Sequence, residues 1–255
     1  MKKALKLAAL SLALAVVAAG CGGKSADNVT FVLDWTPNTN HTGLYVALDK
    51  GYFREAGLDV TIIQPSEGTA DQAVASGTAG FGISYQENVT LARVQGMPLV
   101  SVAAVIQHNT SGFGSLREKN IMGPRDFEGR TYGGWGGDIE GAMIRYLMEQ
   151  EGADPTLVNM LTIGDMDFFM ASATGKMDFA WMYEGWTLVE ARTRNIDMNY
   201  FSISEINEVF DYYTPVIITS EQIITQNPEL VRRFMGALAR GYEHAIEHPL
   251  ESARI

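Results

Sequence analysis

A strand followed by a helix recurs along this chain, and that alternation restricts the fold more than any other feature. Apolar runs of four to ten residues are each followed by a stretch with helical spacing, the pattern of a sheet whose connections are helices. In the first half, Val29–Leu33, Leu58–Gln64 and Phe81–Ser84 read as strands. The helical stretches between and after them are Leu44–Lys50 with a further turn Tyr52–Ala56, then 69–77, then Glu87–Gln95, and Pro98–Gln107 follows as a long apolar strand. Gly51 and Gly57 sit where helices stop, and Thr69-Ala70-Asp71-Gln72 is the spelling of a capping box. A parallel sheet is the expectation.

The second half repeats the pattern. Arg130–Gly133, Val158–Ile163 and Phe179–Tyr183 read as strands, and Ile139–Glu151, Phe168–Thr174 and Trp186–Arg194 as the helices that follow them. Asn109–Pro124 reads as an extended crossing with few helical cues. Tyr212–Thr219 reads as a second crossing strand, and Pro228–His248 is the longest helical stretch. The expected architecture is α/β, with two lobes joined by two crossings and a hinged cleft between them. Lobe 1 takes residues 29–108 and 216–255, and lobe 2 takes 109–215. The last residues read as an uncapped helical run, so the natural chain is expected to continue past Ile255.

Residues 1–20 carry Lys2, Lys3 and Lys6 ahead of an apolar run that ends in small residues, which reads as a signal peptide too short to span a membrane. Cys21 is the single cysteine, so no disulfide can form within the chain. Ala18-Ala19-Gly20-Cys21 resembles a lipobox, with alanine where leucine is usual, so Cys21 is the expected site of lipidation and residues 21–28 the tether. The protein would then stand on the extracytoplasmic face of the cell membrane, periplasmic or extracellular. Losing residues 1–20 moves the net charge from −11 to −14. Such a body repels nucleic acid and anionic ligands and suits a neutral or cationic one.

In open α/β sheets, ligands gather at the carboxyl ends of strands. Asp34 to Tyr45 lies there, between the first strand and the first helix. Trp35 offers a flat face, Asp34 and His41 offer hydrogen bonds, and Pro37, Asn38 and Asn40 make the loop irregular. Trp35 either meets a ligand or packs under its own lobe, and His41 either meets a ligand or ties the loop down. Tyr85, Asn109 and Ser111 follow strands in the same sense, and Tyr213 lies on the second crossing. Tyr132-Gly133-Gly134-Trp135-Gly136-Gly137 invites a phosphate-loop reading, but Ile139 stands where a third glycine is needed and no Gly-Lys-Ser/Thr follows. It reads instead as a loop with accessible backbone at Gly136 that presents Trp135 to the cleft or packs it into the core. His244-Ala245-Ile246-Glu247-His248 spells a zinc-peptidase motif, but Pro249 follows at once, and a solvated helix face is the expectation. No metal or cofactor is expected. Asp165 and Asp167 read as helix caps.

Taken together, these stretches resemble the NMT1/THI5-like family, whose members include lipoproteins that bind thiamine pyrimidine precursors or riboflavin. The resemblance rests on Asp34-Trp35-Thr36-Pro37-Asn38-Thr39-Asn40-His41-Thr42-Gly43-Leu44-Tyr45-Val46-Ala47, Gly80-Phe81-Gly82-Ile83-Ser84-Tyr85-Gln86, Ile106-Gln107-His108-Asn109-Thr110-Ser111-Gly112, Tyr132-Gly133-Gly134-Trp135-Gly136 and Asp178-Phe179-Ala180-Trp181. It implies a type II periplasmic-binding-protein fold and delivery of a pyrimidine or flavin to the permease and ATPase of an ABC importer, by a monomer. The family also includes synthases that carry a lysine and a histidine where this chain aligns Ser84 and Asn88, and without that amine no Schiff base forms. For an aminopyrimidine the resemblance makes Glu184 the polar anchor, since a carboxylate accepts amino hydrogens, with Tyr183 and Trp186 beside it. Riboflavin is the alternative ligand and synthase activity the more distant alternative. In the absence of a ligand, Glu184 at a helix N-terminus would simply favour the helix dipole.

Overall fold

A computed structural model of the chain describes residues 26–65, 69–164 and 166–255. The signal peptide, Cys21 and most of the expected tether lie outside the described residues, as does Asp165. The contacts divide the chain into two compact units: one is built on Thr42–Thr61 and Asn227–Ile255 with the start of the first strand, the other on Phe31–His41 and Ile62–Gln226.

In the smaller unit the long helix Pro228–Glu247 packs on the helices Thr42–Asp49 and Tyr52–Glu55. Phe53 and Phe234 stack with ring centroids 5.1 Å apart. Close approach depends on two glycines. A Cβ on Gly43 would come within 2.2 Å of the Tyr242 ring, and one on Gly241 within 2.1 Å of the Gly43 carbonyl oxygen. Asn227 caps the long helix by accepting from the Leu230 N–H, and Pro228 at its first position needs no hydrogen-bond partner.

The described residues form two five-stranded sheets, the second of them wholly within the larger unit. The first has the order β2-β1-β3-β10-β4, with β1 at Asp27–Val32, β2 at Leu58–Ile63, β3 at Phe81–Ser84, β4 at Leu99–Ala104 and β10 at Val216–Ser220. The second has the order β7-β6-β8-β5-β9, with β5 at Ser111–Leu116, β6 at Thr131–Gly134, β7 at Asn159–Thr162, β8 at Phe179–Tyr183 and β9 at Met198–Ser202. Val32, Val74, Leu99 and Ile218 are among the buried core of the first, and Phe113, Phe127, Tyr132 and Phe179 among that of the second.

Several expectations are corrected. Both sheets are mixed, not parallel. β10 runs antiparallel to β3 and β4, because the returning crossing inserts the chain into the first sheet from the opposite end. β5 is antiparallel to β8 and β9. The stretch Asn109–Pro124 therefore holds a central strand as well as a crossing. Its Ser-Gly-Phe-Gly-Ser spelling hides the strand, yet the glycines belong there. A Cβ on Gly112 would reach within 2.2 Å of the Phe201 carbonyl oxygen, and one on Gly114 within 2.4 Å of the Met182 sulfur. β9 had no counterpart in the sequence reading. β1 begins at Asp27, inside the stretch read as tether, where the Asp27 N–H donates to the Gly57 carbonyl. The expected helix Trp186–Arg194 begins earlier, with a π-helical turn at Glu184–Leu188 that leads into Val189–Thr193.

Candidate functional site

The loop after β1 is fixed by its own polar side chains. The Asn38 N–H donates to Nδ1 of His41 (3.2 Å), which leaves the hydrogen on Nε2, and Nε2 donates to Asp34 Oδ1 at 2.6 Å. His41 is wholly buried. Asn38 accepts from the Asn40 N–H and donates to the Thr36 carbonyl, so its amide is spent inside the loop. Of the two readings for His41, the geometry is that of the tie. The second oxygen of Asp34 accepts from the Tyr85 hydroxyl at 2.5 Å, which joins this loop to the one after β3. Burial alone would raise the Asp34 pKa, but the hydrogen bonds from His41 and Tyr85 outweigh it and hold the carboxyl below its usual range.

These contacts shape a cavity of about 430 Å³ lined by Asp34, Trp35, Asp71, Ser84, Tyr85 and Asn88 among others. Trp35 is 42% exposed, so its ring is free to meet a ligand and is no core residue. Among the described residues that line the cavity there is no lysine, arginine or histidine. Asp71 arrives by a local rule. The Thr69 hydroxyl accepts from the Gln72 N–H and the Gln72 side chain accepts from the Thr69 N–H, so the expected capping box forms and sets Asp71 in the first turn of the helix Ala70–Ala75. Burial raises the pKa of Asp71, with the Ser84 hydroxyl facing it and pulling the other way.

Further groups stand close by. Glu87 opens the helix Gln86–Val94, and its carboxyl is pushed up to about 7, chiefly by burial and further by the charge of Asp71, against a backbone hydrogen bond that lowers it. Tyr183, at the end of β8, has its pKa pushed well up by burial and then by the charges of Glu87, Asp34 and Glu140. Tyr213 is half exposed, and its N–H donates to the Gln86 side chain at 3.1 Å.

The loop after β6 works differently from a phosphate loop. The N–H groups of Trp135 and Gly136 donate to the two oxygens of Glu140, at 2.9 and 3.0 Å. A buried carboxylate thus already fills the position an anionic ligand would take. Trp135 is 48% exposed and Gly136 has φ of 87°. Gly136 and Glu140 line a second hollow of about 500 Å³ with Arg145 and Met160.

The remaining expected residues divide. Asn109 and Ser111 are buried and bonded to each other: Asn109 Oδ1 accepts from both the N–H and the hydroxyl of Ser111, and the Asn109 amide donates to the Phe210 carbonyl. They fix the start of β5. Glu184 is half-buried, and the Tyr200 hydroxyl lies between its carboxylate and the Thr110 carbonyl (3.4 Å). Trp186 is 46% exposed on the π-helical turn. Asp71 and Glu87 escaped the sequence reading because an acid in the first turn of a helix is already explained by the helix dipole. Asp167 caps its helix as expected, by accepting from the Met170 N–H. His244 lies 3.3 Å from Glu251, and among the described residues no cluster of three metal-ligating side chains occurs.

Known proteins agree with this architecture. The NMT1/THI5-like family model matches residues 38–252. A formylaminopyrimidine-binding protein of Halalkalibacterium halodurans is 31% identical over 253 residues, 98% of this chain and 76% of that protein. A 4-amino-5-hydroxymethyl-2-methylpyrimidine phosphate synthase of Saccharomyces cerevisiae is 25% identical over 241 residues, 89% of this chain and 70% of that one. Among solved structures, the periplasmic aliphatic sulphonate binding protein of Escherichia coli superposes with a TM-score of 0.70 at 12% identity, covering 89% of this chain and 77% of that chain. Two mixed α/β sheets in this order are those of a periplasmic-binding-protein fold, and the chain belongs to the NMT1/THI5-like family.

Proposed function

We propose that this protein is the substrate-binding component of an ABC importer, standing on the extracytoplasmic face of the membrane through a lipid on Cys21. Its ligand is an uncharged aminopyrimidine of the formylaminopyrimidine type, a precursor of the thiamine pyrimidine, which it holds and releases unchanged. The observation that carries this reading is the cavity beside Trp35: an exposed indole next to carboxyl groups, with no basic side chain among its described lining residues. Such walls favour a flat ring with hydrogens to donate and oppose a phosphate or sulfonate. In the loop after β6 the Trp135 and Gly136 N–H groups are already taken by Glu140, so they are not offered to an anion. The 31% identity with a formylaminopyrimidine-binding protein supports the same ligand class.

Binding without chemistry follows from the same walls. Where the synthases of the family carry lysine and histidine, Ser84 and Asn88 line the cavity, and neither can form an imine with an aldehyde cofactor. In the proposal Trp35 stacks on the ring with Tyr85 and Tyr183 close by, Trp135 and Trp186 supply further aromatic faces, and Glu184 accepts amino hydrogens at the end of β8.

Calorimetric titration of the mature protein tests this. Formylaminopyrimidine or 4-amino-5-hydroxymethyl-2-methylpyrimidine is expected to bind one to one, and riboflavin at least tenfold more weakly. Trp35→Ala is expected to weaken pyrimidine binding roughly 10- to 100-fold, through lost stacking and burial of one ring. A change of less than twofold would remove Trp35 from the site.

A further inference from the structure

Two buried polar atoms in the cavity wall lack a hydrogen-bond partner among the described residues. Asp71 is 9% exposed and Ser84 3% exposed, both line the cavity, and Asp71 Oδ1 and Ser84 Oγ have no hydrogen-bond partner among the described residues. They face each other without hydrogen-bonding geometry. A buried carboxyl oxygen left without a partner is costly, and a fold under no other demand would replace the residue with an apolar side chain. Asp34, in the same wall, is different, because both of its oxygens are taken by His41 and Tyr85. It is built into the loop, whereas Asp71 is held in place by a helix cap and left open.

We propose, resting on the pyrimidine reading above, that Asp71 and Ser84 form the specificity pair that reads the amino group and neighbouring ring nitrogen of the ligand. That edge of an aminopyrimidine sets a donor beside an acceptor. A neutral carboxyl group sets an acceptor beside a donor, so the two pair through two parallel hydrogen bonds, as the amides of asparagine and glutamine do with adenine. Burial, which raises the pKa of Asp71, favours that neutral form. Ser84 can give or take the one remaining hydrogen bond. A ring lacking the amino group offers the carboxyl no donor and leaves its acceptor oxygen unsatisfied, so the pair selects for the amine and not for ring size.

The experiment compares two probes, 4-amino-5-hydroxymethyl-2-methylpyrimidine and the same molecule without its 4-amino group, on the unaltered protein and two variants. The unaltered protein is expected to prefer the amino compound at least 30-fold. Asp71→Leu removes the carboxyl, so it should hold or raise the melting temperature while the preference falls at least tenfold, what remains of it resting on Glu184. Asp71→Asn keeps a donor beside an acceptor and should keep the preference within threefold of the unaltered protein. Discrimination that falls less than tenfold in Asp71→Leu, or collapses in Asp71→Asn, overturns the assignment and leaves the pyrimidine reading standing. Equal binding of both probes by the unaltered protein overturns it too. Binding of neither probe overturns the pyrimidine reading and this assignment with it.

Discussion

Replacing Asp34 by alanine is expected to cost the fold about 2–5 kcal/mol, because it leaves two buried donors, the His41 N–H and the Tyr85 hydroxyl, without their acceptor. Asp34 has a side chain only 5% exposed and holds two donors at once, His41 Nε2 at 2.6 Å and the Tyr85 hydroxyl at 2.5 Å. Without it the imidazole N–H is left in the interior with no acceptor, and the loop after β1 loses its link to the loop after β3. The melting temperature should fall by roughly 10 °C or more. The same residue gives the protein an acid limit. Because the folded pKa of Asp34 is depressed, its stabilisation is present above the ordinary value of 3.8 and is lost as the pH falls through the folded value. Thermal melts of Asp34→Ala measure both effects, and a loss below 1 kcal/mol with unchanged acid sensitivity would show that the triad does not hold the loop.

Glu87 should act in the opposite direction. Its folded pKa of about 7 lies above the ordinary 4.5, so the folded protein holds a proton that the unfolded chain has released. The contribution is fully present below the unfolded value and is lost as the pH rises through about 7. The difference corresponds to about 3 kcal/mol between acid and mildly alkaline solution. Asp71, raised in the same sense from 3.8, adds to the trend at lower pH. Glu87→Gln cannot lose that proton. Its stability should vary little from pH 5 to 8 where that of the unaltered protein declines, and at pH 8 it should be the more stable by about 2–3 kcal/mol. Stability curves that run parallel across this range would mean that Glu87 is charged in the fold and solvated.

Periodicity carried much of this architecture. The strand Phe179–Tyr183, the capping box at Thr69 and the long helix from Pro228 are where the spacing puts them, because each follows from local rules of burial and capping. Strand direction is a different matter, since nothing in Val216–Ser220 states that it inserts antiparallel between β3 and β4. β5 escaped because its glycines, required by the close approach of Phe201 and Met182, look like turn residues when read alone.

The site divides in the same way. Asp34 and Trp35 were legible as candidates because a loop at the carboxyl end of a strand is where such sheets gather ligands, and both line the cavity. Asn109, Ser111 and His41 are candidates by their place after strands, and the distances add what the sequence does not state, that each also bonds to other parts of the chain. For Asp71 the obstacle was the reverse: its place in a helix cap gave a sufficient reason for an acid, and only its unpartnered oxygen in the cavity wall points beyond that.

The central claim is that the cavity beside Trp35 holds an uncharged aminopyrimidine and leaves it chemically intact. Native mass spectrometry of the mature protein, incubated with formylaminopyrimidine and pyridoxal phosphate together and followed by denaturing release, tests it most directly. The expected result is a single non-covalent adduct at the mass of formylaminopyrimidine, recovered unchanged after release. Absence of that adduct, an altered pyrimidine, or a covalent pyridoxyl adduct formed in the cavity would contradict it.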